Sequence, residues 1–274
     1  MIAGDGSTGT GNEQHHVLLR TATSCRNPEI CQFVIHAVPW TLTAAAWRDS
    51  TTTSLGRSYS RRVDRGQIHA AIGLERRRIA DLIYSLDEAQ LATESLCTGW
   101  DVKTVAAHLV SPLSDGTVRP ILLGLLRGSL ARVTDERARR RAQAPASEIA
   151  ATLRDLADHQ YWYPPPQAAS SRLAEVLAHS GDIRIPLGLP FEPDPQVTAT
   201  ALDFLTGPAP LGLVPLRRLR GIRLQATDID RAWGRGQEIR GRSAELLMVT
   251  VGRTAVLDGL DGPGLELLRQ RISG

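Results

Sequence analysis

The 274-residue sequence predicts an α+β protein: a helical bundle over residues 66–190, then a small α+β unit over residues 191–274. Three observations carry that expectation. Aromatic residues are only 4% of the chain, so the core must be built from Leu, Ala, Val and Ile, and Leu and Ala favour helices. Between Ile68 and Ile185 apolar residues recur at helical spacing, in segments joined by short connections. After Pro190 the period shortens to two over Ile222, Leu224 and Ala226, the mark of a strand.

The elements follow in order. Residues 1–65 are rich in Thr, Ser, Gly and isolated Arg, without a sustained period, and are expected to be a disordered or weakly ordered extension. Ile68, Ile72, Ile79, Leu82, Ile83 and Leu86 share one face of a first helix, with Arg76 to Arg78 on the other. A loop, ATESLCTGW, leads to Asp101, whose carboxylate can accept the free amides of a second helix. That helix carries Val102, Val105, Ala106 and Leu109, with His108 on the same side, and is interrupted by Pro112 and residues 114–116. A long helix is expected from Val118 to Ala142, and another from Glu148 to about His159, stopped by Pro164 to Pro166. Ser170 and Ser171 are read as caps of a helix reaching Ile185. Then come a short helix, Gln196 to Leu205, and a strand from Ile222. A turn at 234–236 precedes a return strand, QEIRG, and the last helices are Ser243 to Leu257 and Gly264 to Ile272.

Composition excludes several classes. Lys and Arg total 32 against 29 acidic residues, an excess too small for a dedicated nucleic-acid binder. Cys25, Cys31 and Cys97 form no CxxC or Cys/His zinc spacing, which favours reduced thiols. No apolar run reaches the roughly 18–20 residues of a membrane helix, and the N-terminus lacks a secretory pattern. The expectation is a cytoplasmic protein, monomer or homodimer, with no membrane or nucleic-acid partner. The arginine run Arg137, Arg139, Arg140 and Arg141 reads better as a solvated helix end than as a phosphate contact. Trp100 and Trp233 read as packing anchors.

Chemistry concentrates in RLAEVLAHSGDIR. Glu175 and His179 are four apart, so both lie on one helix face, a turn apart. With His108 from another helix they make a His, His, Glu set, which leaves a coordination position of a divalent metal open. Glu and His also meet at this spacing by chance, and an inward His is often a hydrogen-bonded core residue.

Three motifs in order narrow the reading. CTGWDVKTVAAHLV, then AEVLAHSGDIRIPLG, then DIDRAWGRGQEIRG with AELLMVTVGR resemble the mycothiol-dependent maleylpyruvate isomerase family over residues 67–274. The resemblance implies a DinB-like bundle and metal ligands at His108, Glu175 and His179, with zinc the expected ion. It implies mycothiol as thiol cosubstrate, a small electrophile as its partner, and Arg253 near the substrate. Asp182 would then orient His179 through its other ring nitrogen. The implied activity is a mycothiol S-transferase or isomerase; the rival is a non-catalytic metal-binding sensor or regulatory protein. The N-terminal extension and Pro112, just after His108, have no counterpart in the family pattern.

Overall fold

The computed structural model describes residues 63–160, 168–207 and 218–272. Most of the extension expected over residues 1–65, with Cys25 and Cys31, lies outside the described residues, as do Pro164 to Pro166. The first helix, α1 (Arg65–Ser85), opens on a capping box: Asp64 Oδ1 accepts from Gln67 N at 2.8 Å, and Gln67 Oε1 accepts from Asp64 N at 2.8 Å. Its arginine face is less solvated than expected. Arg76 is buried and donates to the carbonyls of Ala157 and His159, tying α1 to the chain after α6 (Ala146–Asp155). The short helix α2 (Glu88–Leu91) repeats the capping box with Asp87 and Gln90.

Helix α3 (Val102–Asp115) is capped by Asp101, whose Oδ1 accepts from Thr104 N at 2.7 Å. Pro112 does not end it: the helix runs through to Asp115. A proline there has no N–H for the carbonyl of His108, four residues back. The long helix expected from Val118 to Ala142 is two helices, α4 (Val118–Leu126) and α5 (Leu130–Arg141). Gly128 between them has φ of 69°, and the Ser129 hydroxyl then caps α5 by accepting from Arg132 N at 3.1 Å. Helix α7 (Ala168–Arg184) starts before Ser170 and Ser171, which therefore sit in its first turn rather than at its cap.

Helix α8 (Pro195–Leu205) begins on Asp194, with Pro195 as its first residue, the position where a missing N–H costs nothing. Three strands follow: β1 (Ile222–Ala226), β2 (Ala232–Gly234) and β3 (Gln237–Gly241). β2 pairs antiparallel with β1, but β3 pairs parallel with it on the other edge, giving the order β2-β1-β3. The return strand expected at QEIRG is thus not the second arm of a hairpin. The helix expected from Ser243 to Leu257 stops early, as α9 (Ser243–Thr250), because Gly252 turns the backbone at φ of 92°. A 3-10 segment (Thr254–Gly259) and α10 (Gly264–Ile272) complete the chain.

One buried apolar cluster runs through all of this, from Ile68 and Ile79 on α1 through Leu177 on α7 and Met248 on α9 to Ile272 on α10. α8 and α9 pack together, and both pack on α7, so the chain after residue 190 closes over the back of the bundle. The fold is α+β, mostly helical with a small sheet. No helix among the described residues is long and apolar enough to cross a membrane.

Candidate metal centre

α3 and α7 pack side by side, and each turns one polar residue set into the shared apolar interior. On α3, Val102, Val105, Ala106 and Leu109 bury the helix and carry His108 inward with them; its exposure is 8%. On α7, Leu173, Ala174, Leu177 and Ala178 do the same for His179, which is fully buried. Glu175 lies one turn before His179 on the same face. The structure brings the three together: one ligand atom from each of His108, Glu175 and His179 lies within 4.8 Å of the others. His108 Nε2 is 3.4 Å from Glu175 Oε1, and the two imidazole centroids are 4.9 Å apart at 77°.

The electrostatics suit a cation. Burial lowers the His179 pKa, outweighing the opposing pull of Asp182, so its imidazole is neutral and able to ligate at neutral pH. Burial alone would raise the Glu175 carboxyl; hydrogen bonding and charge from His108, with His179 and Arg76, bring it below its ordinary value. The site therefore offers one carboxylate and two imidazoles, that of His179 neutral, to a divalent ion, a donor set that zinc accepts with a position left over. The side chains of His108 and Glu175 keep 10% and 16% exposure against 1% for His179, so any access is from their side.

Behind His179 lies a second buried layer. Asp182, fully buried, takes His179 Nδ1 on Oδ2 at 3.0 Å, which leaves the Nε2 lone pair to a metal. Arg253 grips the same carboxylate with both arms, Nε to Oδ1 at 2.7 Å and Nη2 to Oδ2 at 2.8 Å. Burial would raise the Asp182 carboxyl, but the Arg253 guanidinium and His179 overcome it and hold it well below the usual carboxylate range. Arg253, expected at a substrate, is in this structure 4% exposed and engaged with Asp182.

Cys97 completes this layer and was not singled out from sequence. Its Sγ lies 3.0 Å from Asp182 Oδ2, 3.2 Å from Arg253 Nη2 and 3.7 Å from His179 Nδ1. The hint was its place in CTGW, at the loop that enters α3. Cys97, His179 and Asp182 also converge closely enough to hold an ion. The guanidinium of Arg253 already neutralises that carboxylate, so a dication is disfavoured there and favoured at His108, Glu175 and His179.

Trp100 is the anchor expected of it, with a further duty. Its indole N–H donates to Asp135 Oδ1 at 2.7 Å, and its ring lies 5.2 Å from the His108 ring. Trp233 likewise donates to Asp203 Oδ1 at 2.8 Å.

Comparison with known proteins bears on the fold and on part of the sequence, not on the ligand set. Residues 72–184, a span that holds the first of the three motifs and most of the second, match the family model described as the mycothiol maleylpyruvate isomerase N-terminal domain. The fold is similar to the crystal structure of the mycothiol-dependent maleylpyruvate isomerase, with a TM-score of 0.51 and 13% identity, covering 73% of this chain and 93% of that one. A histidine-to-alanine mutant of that isomerase gives 0.50 and 12% over the same shares. No curated protein matches the chain.

Proposed function

We propose that this chain, with its mycothiol maleylpyruvate isomerase N-terminal domain over residues 72–184, is a metal-dependent, mycothiol-using S-transferase or isomerase acting on a small electrophile in the cytoplasm. The observation that carries the reading is the convergence of His108, Glu175 and His179 from two helices, with Asp182 and Arg253 stacked behind. A divalent ion held by these residues, zinc by the character of the donors, would supply Lewis acidity that lowers a thiol's pKa and makes thiolate available at neutral pH.

The chain's own residues do the rest. Glu175 contributes the single negative charge, so the loaded centre keeps a net charge near +1 and attracts an anionic sulfur. Asp182 holds the Nδ1 proton of His179 and fixes the ring's tautomer and direction. Arg253 fixes Asp182 in turn. The buried walls of α3 and α7 exclude water from the back of the centre. In this reading the bundle to residue 190 carries the ligands, and the unit from 191 supplies the arginine that steadies them. The residual exposure of His108 and Glu175 favours turnover over a sealed, sensor-like site.

The test is a thiol-transfer screen on purified protein with monobromobimane as electrophile, run with and without mycothiol and with and without a chelator. Consumption that needs both mycothiol and metal supports the proposal. Metal-loaded protein that consumes no electrophile with mycothiol sinks it in favour of the sensor reading.

A further inference from the structure

Part of the arginine run of α5, Arg137, Arg140 and Arg141, faces a concave surface. This is a groove of about 730 Å³ between the C-terminal end of α3, α4 and α5. Five guanidinium groups face it, from Arg119, Arg127, Arg137, Arg140 and Arg141, against the carboxylates of Asp115 and Glu136. That excess of three positive charges equals the formal net charge of the entire chain. None of the metal ligands lines it.

The arginines divide into two groups. Arg137 is fixed, its side chain 18% exposed, with Nη2 donating to the carbonyls of Ser111 at 3.0 Å and Gly116 at 3.1 Å and lying 3.4 Å from Asp115 Oδ2. Arg141 pairs with Asp115 at 3.0 Å and Arg127 with Glu136 at 3.0 Å. Arg119 and Arg140 have no carboxylate partner among the described residues. Pro120, Leu123 and Val133 give the groove an apolar wall. Two uncommitted guanidinium groups beside a rigid third make a receptor for a compact anion with several oxygens, because guanidinium forks match phosphate and carboxylate geometry.

We propose that this groove binds a small, doubly charged oxyanion, the chemistry shared by phosphate monoesters and short dicarboxylates, at a site separate from the metal centre. A nucleic-acid backbone suits it less: Asp115 and Glu136 sit among the arginines and would repel an extended row of phosphates.

The experiment is calorimetric titration of the full chain with inorganic phosphate and, separately, with succinate, at constant ionic strength. At least one should saturate a single site. The double variant R119S/R140S, which breaks no ion pair described above, should weaken that binding by at least about tenfold, the scale of one charge-assisted hydrogen bond. Its metal content and unfolding midpoint should match wild type. Saturation by phosphate alone identifies a phosphorylated ligand, and by succinate alone a dicarboxylate. The proposal is overturned if neither anion saturates, if the double variant binds as well as wild type, or if a short DNA duplex displaces the anion at lower concentration.

Discussion

Replacing Asp182 with Asn preserves the shape of the side chain and removes its charge, and the structure sets what that should cost. The carboxylate receives Arg253 through two contacts, His179 through one and the Cys97 sulfur through another, all between 2.7 and 3.0 Å. Without the charge, Arg253 stays 4% exposed beside a neutral amide. Breaking a buried ion pair by removing one partner costs about 3–5 kcal/mol, so D182N should lose about that much unfolding free energy as apoprotein. Arg253→Met should lose a similar amount by stranding Asp182. The double variant removes both charges, and its loss should fall short of the two singles added together by about 0.5–3 kcal/mol. Metal affinity should follow a different rule. D182N should weaken it about 10–100-fold, since the partner of a ligating histidine is gone, and R253M should weaken it less, since Asp182 still holds Nδ1. Urea unfolding of the four apoproteins measures the first set, and competition with a chromophoric chelator the second. Additive stability losses, with no change in metal affinity for D182N, would refute the layered arrangement.

Other expectations follow from the same contacts. The folded pKa of His179 lies below its ordinary value, and those of Glu175 and Asp182 lie below theirs. In each case the unfolded chain takes up the proton first as pH falls, so the stability these groups contribute is full above about 6.5 and declines towards acid. Urea midpoints of apoprotein at pH 7.5 and pH 5 check the sign, and greater stability at pH 5 contradicts it. Gly181, between His179 and Asp182, lets α9 come close: a Cβ there would meet Met248 Sδ at 2.5 Å and Phe191 at 3.2 Å. Gly181→Val should therefore cost about 1–3 kcal/mol by overpacking, read by thermal unfolding; an unchanged midpoint would show that the seam is loose. Removing residues 1–62 keeps the Asp64 cap and should leave folding and metal content intact. Removing residues 1–65 deletes that cap and should cost about 1 kcal/mol more. Equal midpoints for the two truncations would show that the cap contributes nothing.

The bundle was legible because each helix writes its buried face into the chain: Ile68, Ile72, Ile79 and Ile83 on α1 recur at helical spacing and are all buried. Glu175 and His179 were legible together for the same reason. His108 was legible as an inward histidine on another helix, but only the family resemblance marked it as their partner, since nothing local ties it to a residue 67 positions away. The break between α4 and α5 was misread because residues 118–142 favour helix almost throughout; the Gly128-Ser129 pair, a helix stop followed by a cap, was the available signal. The parallel pairing of β3 escaped because a turn at 234–236 suggests a hairpin, and only the packing decides which edge of β1 receives the strand. The sequence places Arg76 with Arg77 and Arg78 opposite the apolar face, yet its partners lie 81 and 83 residues on. Cys97 and Asp182 are 85 residues apart, and Cys97 and Arg253 156, separations at which periodicity carries no information.

A cation held between α3 and α7 by His108, Glu175 and His179 underlies every functional step proposed above. Elemental analysis of wild type beside His179→Ala tests that most directly. Wild type should carry one equivalent of zinc or a similar ion per chain, and the variant, still folded by circular dichroism, should lose most of it. Equal metal in the two proteins, or none in wild type purified without chelator, would contradict it.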